Sequence, residues 1–237
     1  MIGGKGGDTF VSDGGNDTIS DYGVGSDRIS LTSAIKNFDL SGDDVIIGFG
    51  DNSLTIADAL GDKITFVEGG KTRVNIFAEE GIFDTSKTAV TLNATETTFD
   101  AANFSKIVTI SGALVTGEVS IVGNAKSNKI YAGDNGSTLD GGAGNDSLWG
   151  GDGTDTFLYT AATGNDTIGN YQSGELLEIL DANGDETTFS KATFNGTKLT
   201  LNVTGGGKVI FGGVDSSTTF NINGTSYTVS GKTLATT

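Results

Sequence analysis

Single apolar residues recur along the chain at a fixed spacing. Ile121, Ile130, Leu139, Leu148 and Phe157 follow one another at nine-residue intervals, and Ile110 precedes them by an eleven-residue step. The stretch around each is too short for a helix but suits a strand whose central residue points into a core. Stacked copies of one turn and one short strand predict a parallel solenoid that begins near residue 107. Phe10, Ile19 and Ile29 repeat the pattern at the amino end. Between and after these stretches the pattern changes to short alternating runs, Val45-Ile46-Ile47, Leu54-Thr55-Ile56, Ile64-Thr65-Phe66-Val67 and Val74-Asn75-Ile76-Phe77, separated by Gly, Asp and Asn. Such runs predict a β meander or sandwich. Helix is expected only as a turn within Phe99-Asp100-Ala101-Ala102-Asn103-Phe104.

The turns between the strand centres carry the chemistry. Residues 141–149 and 150–158 are consecutive units of the form Gly-Gly-x-Gly-x-Asp-x-(apolar)-x, and Gly3-Gly4-Lys5-Gly6-Gly7-Asp8-Thr9-Phe10-Val11 is a third full copy. Gly15-Asn16-Asp17-Thr18-Ile19, Gly25-Ser26-Asp27-Arg28-Ile29 and Gly164-Asn165-Asp166-Thr167-Ile168 keep the second half of the unit, while Asn128 and Ser137 replace the aspartate in two weaker turns. Glycine lets the backbone reach positive φ and aim carbonyl oxygens inward, and each Asp adds a carboxylate; together they make a hard-oxygen site suited to calcium. The candidate metal residues are Asp8, Asp17, Asp27, Asn128, Asp146, Asp155 and Asp166, with Gly3, Lys5, Gly7, Gly141, Ala143, Asn145, Gly150, Asp152 and Thr154 in the turns that carry them. Ordinary solvated hairpin turns would not require a nine-residue phase.

The two clusters belong to a longer duplication with an offset near 147 residues, Gly3 to Phe10 corresponding to Gly150 to Phe157. In the stretches that follow, Ser53-Leu54-Thr55-Ile56 matches Lys198-Leu199-Thr200-Leu201, and Lys63-Ile64-Thr65-Phe66 matches Lys208-Val209-Ile210-Phe211. Four segments are expected: a first turn-rich block at 1–31, a β-rich spacer at 32–106, a second block at 107–170, and a partial second spacer at 171–237.

The nonapeptides resemble those of the RTX family, the calcium-binding repeats of bacterial proteins exported by type I secretion. The resemblance covers residues 3–31 and roughly 123–169. It implies an all-β fold of parallel β-roll blocks, calcium-binding β-solenoids, alternating with β-rich spacer modules. It also implies that each ion lies between two turns on one edge of the roll, so that alternate repeats cooperate. On this chain Asp146 would then pair with Asp166 and with Asn128, Asp155 would face the Ser137 turn, and Asp8 would pair with Asp27. Asp17 would have no same-edge partner, and at Gly174-Glu175-Leu176 the counterpart of Asp27 is missing.

Composition narrows the function. With 35% hydrophobic and 8% aromatic residues the core must be thin and repetitive, as in a solenoid. A formal charge of −16 argues against nucleic acid or anionic membrane as partner. The chain has no Cys, so disulfides contribute nothing and metal is the evident source of added stability. Residues 1–20 lack a basic and apolar signal sequence, and no run of about 18 apolar residues predicts a membrane span. Type I export, which uses an uncleaved carboxyl-terminal signal, would reconcile an extracellular site with that absence. Residues 190–237 fit either such a signal or ordinary short strands. Without His or Cys, Ser-His-Asp hydrolysis, Cys nucleophiles and His-bound zinc are excluded. Glu68, Glu79, Glu80, Glu175, Glu178 and Glu186 show no motif-like pairing that would suggest glycoside hydrolysis.

The expectation is therefore a non-enzymatic, calcium-dependent structural module of a secreted or cell-surface bacterial protein, such as an adhesin, matrix or filament component. A secretion and folding carrier, or a glycan- or surface-binding module, stands as the alternative. Because the sequence opens within a repeat, copies of the chain are expected to complete each other head to tail, unless the chain is a fragment.

Overall fold

The computed structural model describes residues 1–23, 26–68, 71–84 and 87–237; Gly25 of the third amino-terminal turn and the Glu68 side chain lie outside that description. The chain divides into two compact units, Met1–Ala94 and Thr95–Thr237.

In the second unit the chain passes back and forth between two parallel sheets. One sheet takes Thr98–Asp100, Ser120–Val122, Thr138–Asp140, Thr156–Thr160 and Leu176–Leu180. The other takes Thr109–Ser111, Lys129–Tyr131, Ser147–Trp149 and Asn165–Gly169. Consecutive nonapeptides therefore fall on opposite sheets, and the in-register neighbour of each strand is two repeats away. Ile110, Ile130, Leu148 and Ile168 form one inward column. Phe99, Ile121, Leu139, Phe157 and Leu177 form the facing one. In a three-residue strand only the middle side chain points inward, and every residue of both columns is at most 4% exposed. This is the parallel β-roll expected from the nine-residue phase.

The roll begins earlier than residue 107. Thr98–Asp100 already pairs in parallel with Ser120–Val122, so Phe99 enters the core as a strand centre. The expected helical turn is confined to a 3-10 turn at Ala101–Asn103, capped where the Ala102 N–H donates to Asp100 Oδ1 at 2.8 Å. The 22-residue separation of Phe99 from Ile121, in place of 18, hides this first coil from a strict nine-residue count.

Beyond the roll each sheet continues as antiparallel hairpins. Lys208–Gly212 pairs in parallel with Asn165–Gly169 and then antiparallel with Lys198–Val203, which pairs with Phe189–Phe194. Thr219–Ile222 pairs in parallel with Leu176–Leu180, then antiparallel with Thr225–Ser230 and on to Thr233–Thr236.

The first unit follows the same plan with a shorter roll. Thr9–Ser12, Arg28–Leu31 and Lys63–Glu68 run parallel, and Lys71–Ala78, Gly81–Asp84 and Ala89–Leu92 extend that sheet antiparallel. Asn16–Ile19 pairs in parallel with Asn52–Ile56, which leads antiparallel into Asp44–Phe49 and Ile35–Ser41. Its core includes Ile19, Ile29, Phe49, Ile56 and Phe66, with Phe77 edge-on to both Phe38 and Phe66.

The two units correct the sequence-level duplication. Asn52–Ile56 and Lys208–Gly212 hold the same place beside a roll strand, as do Lys63–Glu68 and Thr219–Ile222. The spacers were thus matched one strand out of step. Short alternating runs look alike, and their partner strand, not their composition, fixes their place.

Leu139 is fully buried in the inward column, and its neighbour Thr138 lies on the outer surface of the same strand. Leu139→Ala is expected to destabilise the calcium-loaded chain by about 3 kcal/mol, and Thr138→Ala by no more than about 0.5 kcal/mol. Chemical denaturation of the two variants at saturating calcium is the check; equal losses would contradict the assigned register.

Candidate metal centre

The aspartate that ends each turn is fixed by the coil before it. The N–H of Asn128 donates to Asp146 Oδ1 at 2.7 Å, that of Asp146 to Asp166 Oδ1 at 2.9 Å, that of Ser137 to Asp155 Oδ1 at 2.8 Å, and that of Asp8 to Asp27 Oδ1 at 3.0 Å. Asn128 extends the series, its Oδ1 accepting from Asn124 N at 2.9 Å. The structure thus brings Asp146 beside Asp166 and Asn128, Asp155 beside Ser137, and Asp8 beside Asp27. Asp17 stands apart: its register partner is Leu54, and its Oδ2 accepts from the Ser12 hydroxyl at 2.8 Å.

The second carboxylate oxygen has a different fate. A Cβ on Gly3, Gly141 or Gly150 would lie 2.5, 2.5 or 2.1 Å from Oδ2 of Asp8, Asp146 or Asp155. The first glycine of each full unit is there because its own aspartate fills the space. The second glycine serves the bend, with φ of 89° at Gly4, 78° at Gly142 and 98° at Gly151. Among the described residues, five buried side-chain oxygens and nitrogens lack a hydrogen-bond partner, and Oδ2 of Asp8, Asp146 and Asp155 are three of them. A buried carboxylate oxygen without a donor is strongly disfavoured unless a cation meets it.

The electrostatics agree. Burial pushes Asp146 up to about 7, with the charges of Asp166 and Asp140 adding to it and the Asn128 N–H opposing. Burial and Asp140 raise Asp166 to about 6. Burial also raises Asp155. In contrast, the N–H groups of Asp8 and Gly23 hold the Asp27 carboxyl below its ordinary value.

The remaining candidates are placed at the turn surfaces. The side chains of Lys5, Ala143, Asn145, Asp152 and Thr154 are exposed, so what these residues offer an inward ion is the backbone carbonyl. Gly3 and Gly7 lie in the same exposed stretch, with the Gly3 N–H donating to Asp21 Oδ1 at 2.9 Å. Among the described residues no three acidic side chains gather into one cluster. A cation here would draw on one or two carboxylates and on carbonyls, a donor set of hard oxygens that fits calcium and offers nothing to thiol- or imidazole-seeking metals.

Sequence reasoning missed two acids. Asp140 bears on both Asp146 and Asp166 although it belongs to a strand, not to a turn; its position directly before Gly141 was the available signal. Glu175, 2% exposed, lies against Asp155, and its Oε1 is among the five unpartnered atoms. This contact falls at the turn where the sequence lacks a counterpart of Asp27.

Two outcomes follow from this geometry. Asp146→Ala leaves the buried Asn128 N–H without an acceptor, a loss of about 1–3 kcal/mol before any ion is counted, whereas Asp17→Ala removes a half-buried contact to Ser12. Melting temperatures in calcium are expected to fall further for Asp146→Ala; equal shifts would contradict the pairing. In excess chelator, Asp146 and Asp166 ionise in the unfolded chain near their ordinary 3.8 but in the folded chain only near 7 and 6. The native state then holds more protons, so stability is fullest below about pH 4 and is lost as pH rises through 6–7. A melting temperature that rises with pH across that window would contradict it.

Residues 2–30 and 131–168 match the RTX calcium-binding nonapeptide repeat profile in four copies. Among curated proteins none matches. Among solved structures, the extracellular lipase LipA from Serratia marcescens is similar at 18% identity and a TM-score of 0.30, over 87% of this chain and 36% of that one. The chain thus spans about a third of the length of that lipase. The phased turns, their shared carboxylate geometry and the profile match agree that both blocks carry RTX calcium-binding nonapeptide repeats.

Proposed function

We propose that this chain is a calcium-dependent structural module of a secreted or cell-surface bacterial protein, in which bound ions set the fold and rigidity of two β-rolls. The observation that carries the reading is the set of buried, partnerless Oδ2 atoms of Asp8, Asp146 and Asp155, one in each full repeat unit. Carboxylates stacked along one edge repel until a divalent cation arrives, and the free energy of binding then becomes free energy of folding. In a calcium-poor cell interior such a chain stays loose enough for type I export, and it sets once it meets extracellular calcium.

The role in this reading is architectural, as in an adhesin, matrix or filament component, and not catalytic, in keeping with a chain that has neither His nor Cys. Among the described residues no helix is long and apolar enough to cross a membrane. Tyr131 and Trp149 stack on one another at 4.5 Å on the outer sheet surface, and a Cβ on Gly169 would lie 2.2 Å from Trp149 Nε1. That pair is spent on covering its own strands, so the architectural role is favoured over a glycan platform.

Calcium titration of the chelator-treated chain, followed together by circular dichroism and light scattering, tests the proposal. A gain of β signal at submillimolar to millimolar calcium, which magnesium fails to reproduce, is the expected result. Growth in scattering at the same calcium would mark head-to-tail assembly, and its absence would leave a monomeric module. A β signal unchanged between chelator and calcium would contradict the proposal.

A further inference from the structure

The second roll ends on a turn that breaks the repeat, outside the residues matched by the repeat profile. Leu176 pairs with Thr156, so Glu175 occupies the register position of Asp155 one coil on, as Asp27 does for Asp8 through the pairing of Arg28 with Thr9. The surroundings repeat as well. The Tyr22 hydroxyl donates to the Asp27 carbonyl at 3.0 Å and accepts from Thr65 N at 2.8 Å. The Tyr171 hydroxyl donates to the Glu175 carbonyl at 2.5 Å and accepts from Asn221 N at 3.1 Å. The N–H following each tyrosine, Gly23 or Gln172, donates to one oxygen of the acid at 2.6 or 2.7 Å.

The difference lies in the loop. Tyrosine and acid are five residues apart in the first unit and four in the second. The loop is shorter by one residue and the acid longer by one methylene, and the Glu175 carboxylate still accepts from the N–H after the tyrosine as Asp27 does. There it meets Asp155, with Glu175 Oε1 and Asp155 Oδ2 both buried and both without a donor. Two carboxylates this close and this buried cannot both stay ionised unless something positive lies between them.

We infer that Asp155 and Glu175 form a further calcium site, at the end of the second roll, with Glu175 as the ligand that replaces the missing repeat aspartate. The inference rests on the calcium-dependent reading above. The alternative occupant is a proton: the pair would share one and take no metal. Burial first, and the charge of Asp155 after it, push the Glu175 carboxyl up.

Glu175→Gln distinguishes the two, because an amide of the same shape can donate to Asp155 but is a poor calcium ligand. Calcium bound per chain is to be counted by equilibrium dialysis for the full-length wild type, Glu175→Gln, and Glu178→Gln as a control on the outer face of the same strand. One calcium fewer in Glu175→Gln alone is the expected result. An unchanged count, with wild type still binding calcium, overturns this inference and leaves the functional reading intact; a wild type that binds none overturns both. Should Glu175→Gln fail to fold, wild-type crystals grown in calcium serve instead. An anomalous peak bridging Asp155 and Glu175 supports the site, and its absence beside occupied neighbouring turns overturns it.

Discussion

Asp146 and Asp155 each divide their two oxygens between opposed tasks, and the second roll depends on that division. Oδ1 accepts the backbone N–H of the equivalent residue one coil earlier, at 2.7 Å for Asp146 and 2.8 Å for Asp155, and so ties consecutive coils together. Oδ2 is buried and has no protein donor. The first task stabilises the stack, and the second destabilises it for as long as the oxygen is charged and bare. A cation is what reconciles them, because it satisfies Oδ2 without disturbing the bond at Oδ1.

The glycine content and the acidic balance follow from the same arrangement. The first glycine of a full unit leaves room for Oδ2, and the second provides the bend at positive φ. The first cannot be another residue without moving the carboxylate. The formal charge of −16 includes the carboxylates that the turns must hold, and a thin core of single Ile, Leu and Phe centres offers limited hydrophobic burial to offset their repulsion. The spacers relieve that weakness at one end of each roll, where hairpins such as Lys198–Val203 and Phe189–Phe194 extend the sheet and cover the last parallel strand.

Much of this was legible in the sequence because a solenoid writes its structure locally. The phase from Ile110 to Phe157 identified every strand centre of the second roll over that range, and the N–H groups of Asn128, Ser137 and Asp146 each meet an aspartate of the next coil. What escaped depended on lengths and partners. Phe99 was hidden by a coil longer than the repeat, and Glu175 by a loop one residue shorter than its counterpart together with a change of residue type. The spacer strands were misaligned by one because Leu-Thr-Ile and Lys-Leu-Thr-Leu satisfy the same alternation, and only pairing to a roll strand separates them. Asp140 went unnoticed because it lies on a strand, where a periodic reading assigns no ligand.

The division of labour within each carboxylate is tested most directly at the amides it holds. Hydrogen exchange at the N–H groups of Asn128, Ser137 and Asp146, each of which donates to a turn aspartate, is to be measured by NMR in calcium and in excess chelator. Strong protection in calcium that collapses at all three amides when calcium is removed is the predicted result. Protection that is the same in both conditions would mean that the aspartates hold the coils without a cation, and would contradict the account.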